Sequence, residues 1–76
     1  MVSLDKLRVG QRGSVNALDG DGALVQRLLE MGIYEGTPVE VLAIAPLGDP
    51  IEVRLPDFRL SLRRSEAARV MVTLDP

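Results

Sequence analysis

Apolar residues along this chain first recur at helical spacing and later at every second position. Leu4 and Leu7, behind Ser3, predict a short helical turn over residues 3–7 with Ser3 as its N-cap. A bend at Gly10 and Gly13 leads into Ser14–Leu18, which predicts a short strand. Leu24, Leu28 and Met31 then fall at i, i+4 and i+7, one face of a 3.6-residue period, and Val25 and Leu29 widen it. Asp21 is placed to cap this helix, and Gly32 supplies the left-handed residue that stops it, so one helix is predicted over about 22–31.

Beyond Pro38 the period drops to two. Val39–Ala45 is apolar on both alternating sets, which predicts a strand covered on two sides. Ile51, Val53 and Leu55 alternate with Glu52 and Arg54. Phe58, Leu60 and Leu62 alternate with Arg59, Ser61 and Arg63, and Val70, Val72 and Leu74 close the series. This pattern predicts half-buried antiparallel strands with the apolar residues, Phe58 and Leu74 included, facing inward. "RSEAA" adds a helical turn near 64–68. The expectation is a mainly β domain over 1–76: five short strands and one inserted helix. Curling so small a sheet into a barrel limits its exposed edges.

The loop "APLGDP" (Ala45–Pro50) separates two of these strands. Pro46 has no N–H for a ladder and ends the first strand, and Pro50 restricts Asp49 before the next. Gly48 and Asp49 permit the reversal. Leu47 has no structural need to be apolar at the tip. A stiff connector explains the prolines, and a recognition contact explains the leucine. Leu47 is therefore expected to meet a partner, with Arg54 and Arg59 nearby. Arg54, Arg59 and Arg63 are expected to project from one outer face, where they suit an acidic partner better than lysines would.

Composition narrows the chemistry. The 76 residues include no Cys and no His, so there is no disulfide framework, and the usual nitrogen and sulfur metal ligands are missing. The commonest general base and the familiar cysteine nucleophile are missing too, and no serine has a nucleophile-elbow context. No catalytic residue, cofactor or metal ligand is assigned. "DGDG" (Asp19–Gly22) lacks the ligand spacing of a calcium loop and suits a turn followed by a helix cap. The net charge of −2 opposes nonspecific nucleic-acid binding. It is uneven: residues 1–50 carry −3 and residues 51–76 carry +1, and every cation of the second part is an arginine. Tyr34 and Phe58 are the only aromatics, too few for a base-stacking or polyproline surface. The N-terminus has no apolar signal region, and no apolar run approaches the roughly 18 residues of a spanning helix. A cytoplasmic protein without membrane insertion is expected.

The order of motifs resembles the FeoA family. Leu4, Leu7, Gly10, Gly13 and Val15 resemble its start, and "RLLEMGIYEG" (Arg27–Gly36) resembles its Arg-Leu-Leu-Glu-Leu-Gly segment and glycine turn. "VEVLAIAPLGDPIEVRL" and "FRLSLRRSEAARVMV" resemble its middle and end, so the likeness covers nearly the whole chain. The resemblance implies an SH3-like barrel with an inserted helix. It also implies a cytosolic accessory protein of FeoB, a membrane ferrous-iron transporter with a cytosolic GTP-binding domain. The same domain type ends iron-dependent repressors, and the family is associated with transition-metal binding, for which oxygen ligands alone are a poor set. Two departures stand out. Pro56-Asp57 replaces a glycine-containing hairpin, excluding a type I′ turn. Leu24-Val25-Gln26 replaces a more basic helix start, leaving Arg27 as the helix's only cation. The alternatives are a small nucleic-acid-binding barrel and a regulatory module of the repressor kind. The initial Met and the lack of a recognition helix favour a stand-alone protein, in which an edge strand could pair two copies.

Overall fold

The computed structural model describes all 76 residues. In chain order it contains β1 (Val2–Ser3), a 3-10 turn (Leu4–Lys6), β2 (Arg12–Leu18), α1 (Gly22–Glu30), β3 (Pro38–Ile44), β4 (Ile51–Arg54), β5 (Arg59–Leu62), α2 (Arg64–Ala67) and β6 (Val70–Leu74). The strands form one antiparallel sheet in the order β1-β6-β2-β3-β4-β5. The five expected strands are present, and β1 is a sixth. With only two residues it is too short to leave a periodic trace in the sequence. The sheet wraps a single core that includes Leu4, Leu7, Val15, Leu28, Val41, Val53, Leu62 and Val72. Its hydrogen bonding does not run on from β5 to β1, so a seam stays open between those edges.

Helix α1 follows its sequence signals closely. The Asp21 carboxylate accepts from the Leu24 N–H at 2.8 Å, and Gly32 takes φ +91° just past the end. Leu28 is fully buried, while Leu24 and Met31 pack against the core from its margin. Ser3 does not cap the first turn, because its hydroxyl turns to the Asp5 carboxylate instead.

Three expectations about facing are corrected. Val39–Ala45 is not covered on both sides. A bulge between Val41 and Ala43 shifts the register, so Val39 and Val41 face the core before it and Ile44 after it. The apolar residues on both sets record that change of phase. A second bulge, between Val15 and Ala17, does the same in β2. Leu74 lies at the open end of the sheet and is 41% exposed. Phe58 is 44% exposed and leaves the core to lie over Gly32, where its Cζ is 2.6 Å from the place a Cβ would occupy. The hairpin beneath it closes through Leu55 N–H to Phe58 O at 2.8 Å. No non-glycine residue has positive φ, so the Pro56-Asp57 turn is indeed not type I′.

Candidate partner-binding surface

The β3–β4 loop is a stiff, well-anchored tip. Gly48 N–H donates to Ala45 O at 2.7 Å, closing a β-turn with Pro46 and Leu47 at its centre. Ala45 N–H donates to Pro50 O at 3.1 Å below it, and the Asp49–Pro50 bond is cis. Gly48 takes φ +85°, a conformation that glycine alone adopts at little cost. Leu47 is 97% exposed, so nothing in the chain covers it.

Arg64 fixes this loop. Its backbone N–H donates to Asp49 Oδ1 at 3.0 Å, its Nη1 to Gly48 O at 3.1 Å and its Nη2 to Asp5 O at 3.2 Å. Arg64 follows β5, and Asp5 follows β1. One side chain therefore ties the loop across the seam that the sheet leaves open. Its planar fork can reach two carbonyls at once, which a lysine could not reproduce. The sequence gives no sign of this role, because each acceptor is distant in the chain.

The expected arginine face divides. Cross-strand pairing places Arg12, Glu40, Arg54 and Arg59 in one row on neighbouring strands β2 to β5. Arg54 Nε meets Glu40 Oε1 at 3.6 Å, whereas Arg59 and Arg63 have no carboxylate partner. Arg63 lies past the other end of β5, on the side of the Leu47 loop. Arg54 and Arg59 are at the far end of their strands, roughly 10 Å of strand away from that loop. The structure thus brings Leu47 near Arg63 and Arg64 and does not bring it beside Arg54 and Arg59. Two shallow clefts of about 260 and 290 Å³ flank Arg54 and share Leu55 and Pro56 with it. Both mix arginines with acidic residues, and neither gathers buried polar groups.

Arg27 is engaged elsewhere. Its Nε lies 2.7 Å from Glu66 Oε2, and the other oxygen of this buried carboxylate accepts the Arg63 N–H at 2.9 Å. No three acidic residues converge into a group able to hold a metal ion.

These features define a small SH3-like β domain whose distinctive groups lie on its surface. The chain belongs to the FeoA family: the FeoA domain model matches residues 2–74. It is 38% identical over 71 residues to the Fe(2+) transport protein A/Fe(2+) transporter FeoB fusion protein of Porphyromonas gingivalis. That stretch is 93% of this chain and only 8% of the fusion protein. The FeoA-like protein of Clostridium acetobutylicum superposes with a TM-score of 0.90 at 32% identity, covering 96% of this chain and 85% of that one. Stenotrophomonas maltophilia FeoA, solved with zinc and suggested to be a ferrous iron transport activating factor, gives 0.80 at 31% identity over 96% and 91% of the two chains. A manganese-dependent transcriptional repressor reaches 0.89 at 21% identity over 96% of this chain and 36% of its own, a likeness of fold alone.

Proposed function

We propose that this chain is a non-enzymatic accessory protein of ferrous iron uptake that docks on the cytosolic part of an FeoB transporter. The observation that carries the docking is Leu47: an apolar side chain 97% exposed at the tip of a loop braced by Arg64. Such a side chain enters a partner's pocket with little ordering cost, because the loop is already held. Arg63 supplies a free cation next to that tip, and Arg54 and Arg59 a second charged region. The P. gingivalis fusion, which joins transport protein A to FeoB in one chain, supports the choice of partner. No helix here is long and apolar enough to cross a membrane. In this reading the protein is cytoplasmic and reaches the membrane's inner face through its partner.

The test is a titration of isotope-labelled chain with the cytosolic domain of its FeoB. Amides of Ala45–Asp49 are expected to shift. Leu47→Ser should weaken binding by about tenfold or more, since burying a leucine contributes about 1.5–3 kcal/mol. Unchanged affinity would return the loop to the role of a connector.

A further inference from the structure

We propose that the free edge of β5 receives an extended acidic segment of the partner as an added strand, an inference that rests on the docking reading above. The backbone defines the open positions. Leu55 N–H bonds to Phe58 O, so the pairs Val53–Leu60 and Ile51–Leu62 carry the β4–β5 hydrogen bonds. Arg59 and Ser61 therefore turn their N–H and C=O groups away from β4, toward the edge. No backbone group elsewhere in the chain meets them. At the next outward position the edge is already closed: Arg63 N–H donates to Glu66 Oε1 at 2.9 Å, and Glu66 N–H donates to Arg63 O at 2.9 Å. The open edge is short and well bounded.

Charge selects what fits it. Across the sheet the row Arg12–Glu40–Arg54–Arg59 alternates in sign until its last step, where Arg54 and Arg59 stand directly opposite. Like charges so placed repel, and a carboxylate on a further strand beside Arg59 would restore the alternation. Arg63 has no ion-pair partner either and is still extended, with φ −64° and ψ 146°. It lies on the same outer face four positions on, about 14 Å along the edge. The complementary strand carries carboxylates at i and i+4 with a small polar residue between them, opposite Ser61. A second copy of this chain is a poorer occupant. Pairing its own open groups would set Arg59 against Ser61 and leave Arg59 without a counter-charge. Main-chain bonds would give the partner strand affinity, and the arginines its specificity.

The test uses the full chain with three soluble threonine-rich peptides of the same length that carry Glu, Gln or Lys at every fourth position, the Thr-Glu, Thr-Gln and Thr-Lys peptides. The Thr-Glu peptide is expected to shift the Arg59 and Ser61 amides most and to slow their exchange with solvent. Arg59→Glu should weaken that peptide by about tenfold and favour Thr-Lys. Ser61→Pro removes an outward N–H that β4 does not use, so the fold should survive while the added strand is lost. Shifts spread over all arginines without protection of Arg59 and Ser61, or an unaltered response of both variants, would overturn the inference. So would protection of these amides that rises with protein concentration alone, the mark of self-pairing. The same variants titrated with the FeoB cytosolic domain separate the two readings. Full binding by Ser61→Pro removes the edge and keeps docking. Peptide binding at the edge with no response to FeoB keeps the edge and removes the transporter as its partner.

Discussion

Glu66 uses one carboxylate for two contacts, and substitution can separate them. Oε1 accepts the Arg63 N–H at 2.9 Å, and Oε2 meets Arg27 Nε at 2.7 Å. The Glu66 side chain is 8% exposed and that of Arg27 is 56% exposed. With so much of Arg27 in water, the ionic part is screened, and its loss in Glu66→Gln should cost about 0.5–1 kcal/mol. Glutamine keeps an acceptor oxygen for the Arg63 N–H. Glu66→Ala removes that acceptor as well, which adds about 1–3 kcal/mol. In a domain of this size each kcal/mol lowers Tm by about 4–8 °C. Glutamine should therefore cost about 2–8 °C and alanine about 6–32 °C. Urea unfolding monitored by circular dichroism measures both, provided the slope with denaturant stays constant. Arg27→Gln should cost more than Glu66→Gln, because it leaves the buried Glu66 carboxylate without its counter-charge, and the double variant should show the pair coupled. If glutamine proved as costly as alanine, the ion pair with Arg27 would outweigh the Arg63 hydrogen bond, which refutes the screening of that pair by solvent.

Gly13→Ala should destabilise the fold by about 1–3 kcal/mol or more, because the new methyl has nowhere to go. It would lie 2.7 Å from Val72 Cγ1 and 3.0 Å from the Thr73 carbonyl carbon, forcing β2 off β6; the urea midpoint reads the loss. Arg64→Ala should leave the core intact and loosen the loop. The Gly48 amide should exchange about tenfold faster while the Val53 amide keeps its protection. Leu47→Ser, in contrast, should leave Tm unchanged, since a side chain already in water loses no burial.

Local signals carried most of the fold. Asp21 and Gly32 mark the ends of α1, and Ile51, Val53 and Leu55 give β4 its inward face, because each acts on neighbours close in sequence. The two bulges were not legible. A one-residue change of phase turns an alternating strand into one that appears apolar on both faces, as it does from Val39 to Ala45. Phe58 misled for a related reason: its parity faces inward, yet it sits at a hairpin end where the sheet stops and Gly32 offers a surface to lie on. The polar architecture was the least legible part. Arg64 reaches Gly48 and Asp5, and Arg27 reaches Glu66, across chain separations that no periodicity encodes. The exposed leucine was foreseeable from two prolines and a glycine, but not which arginines would stand beside it.

The pairing of β1 with β6 has a mechanical consequence. Val2 lies opposite Val72 and Ser3 opposite Met71, so the first and last strands run antiparallel as neighbours. Both ends of the chain leave the domain from the same end of that pair. Tension between them loads the β1–β6 bonds one after another, as in a zipper, and not all together as in a lap joint. The two-residue strand should peel first and draw Leu4 from its place, while β3, β4 and β5 bear almost no load. Pulled by its ends, this domain is soft at the seam and firm at the face that carries Leu47 and Arg59.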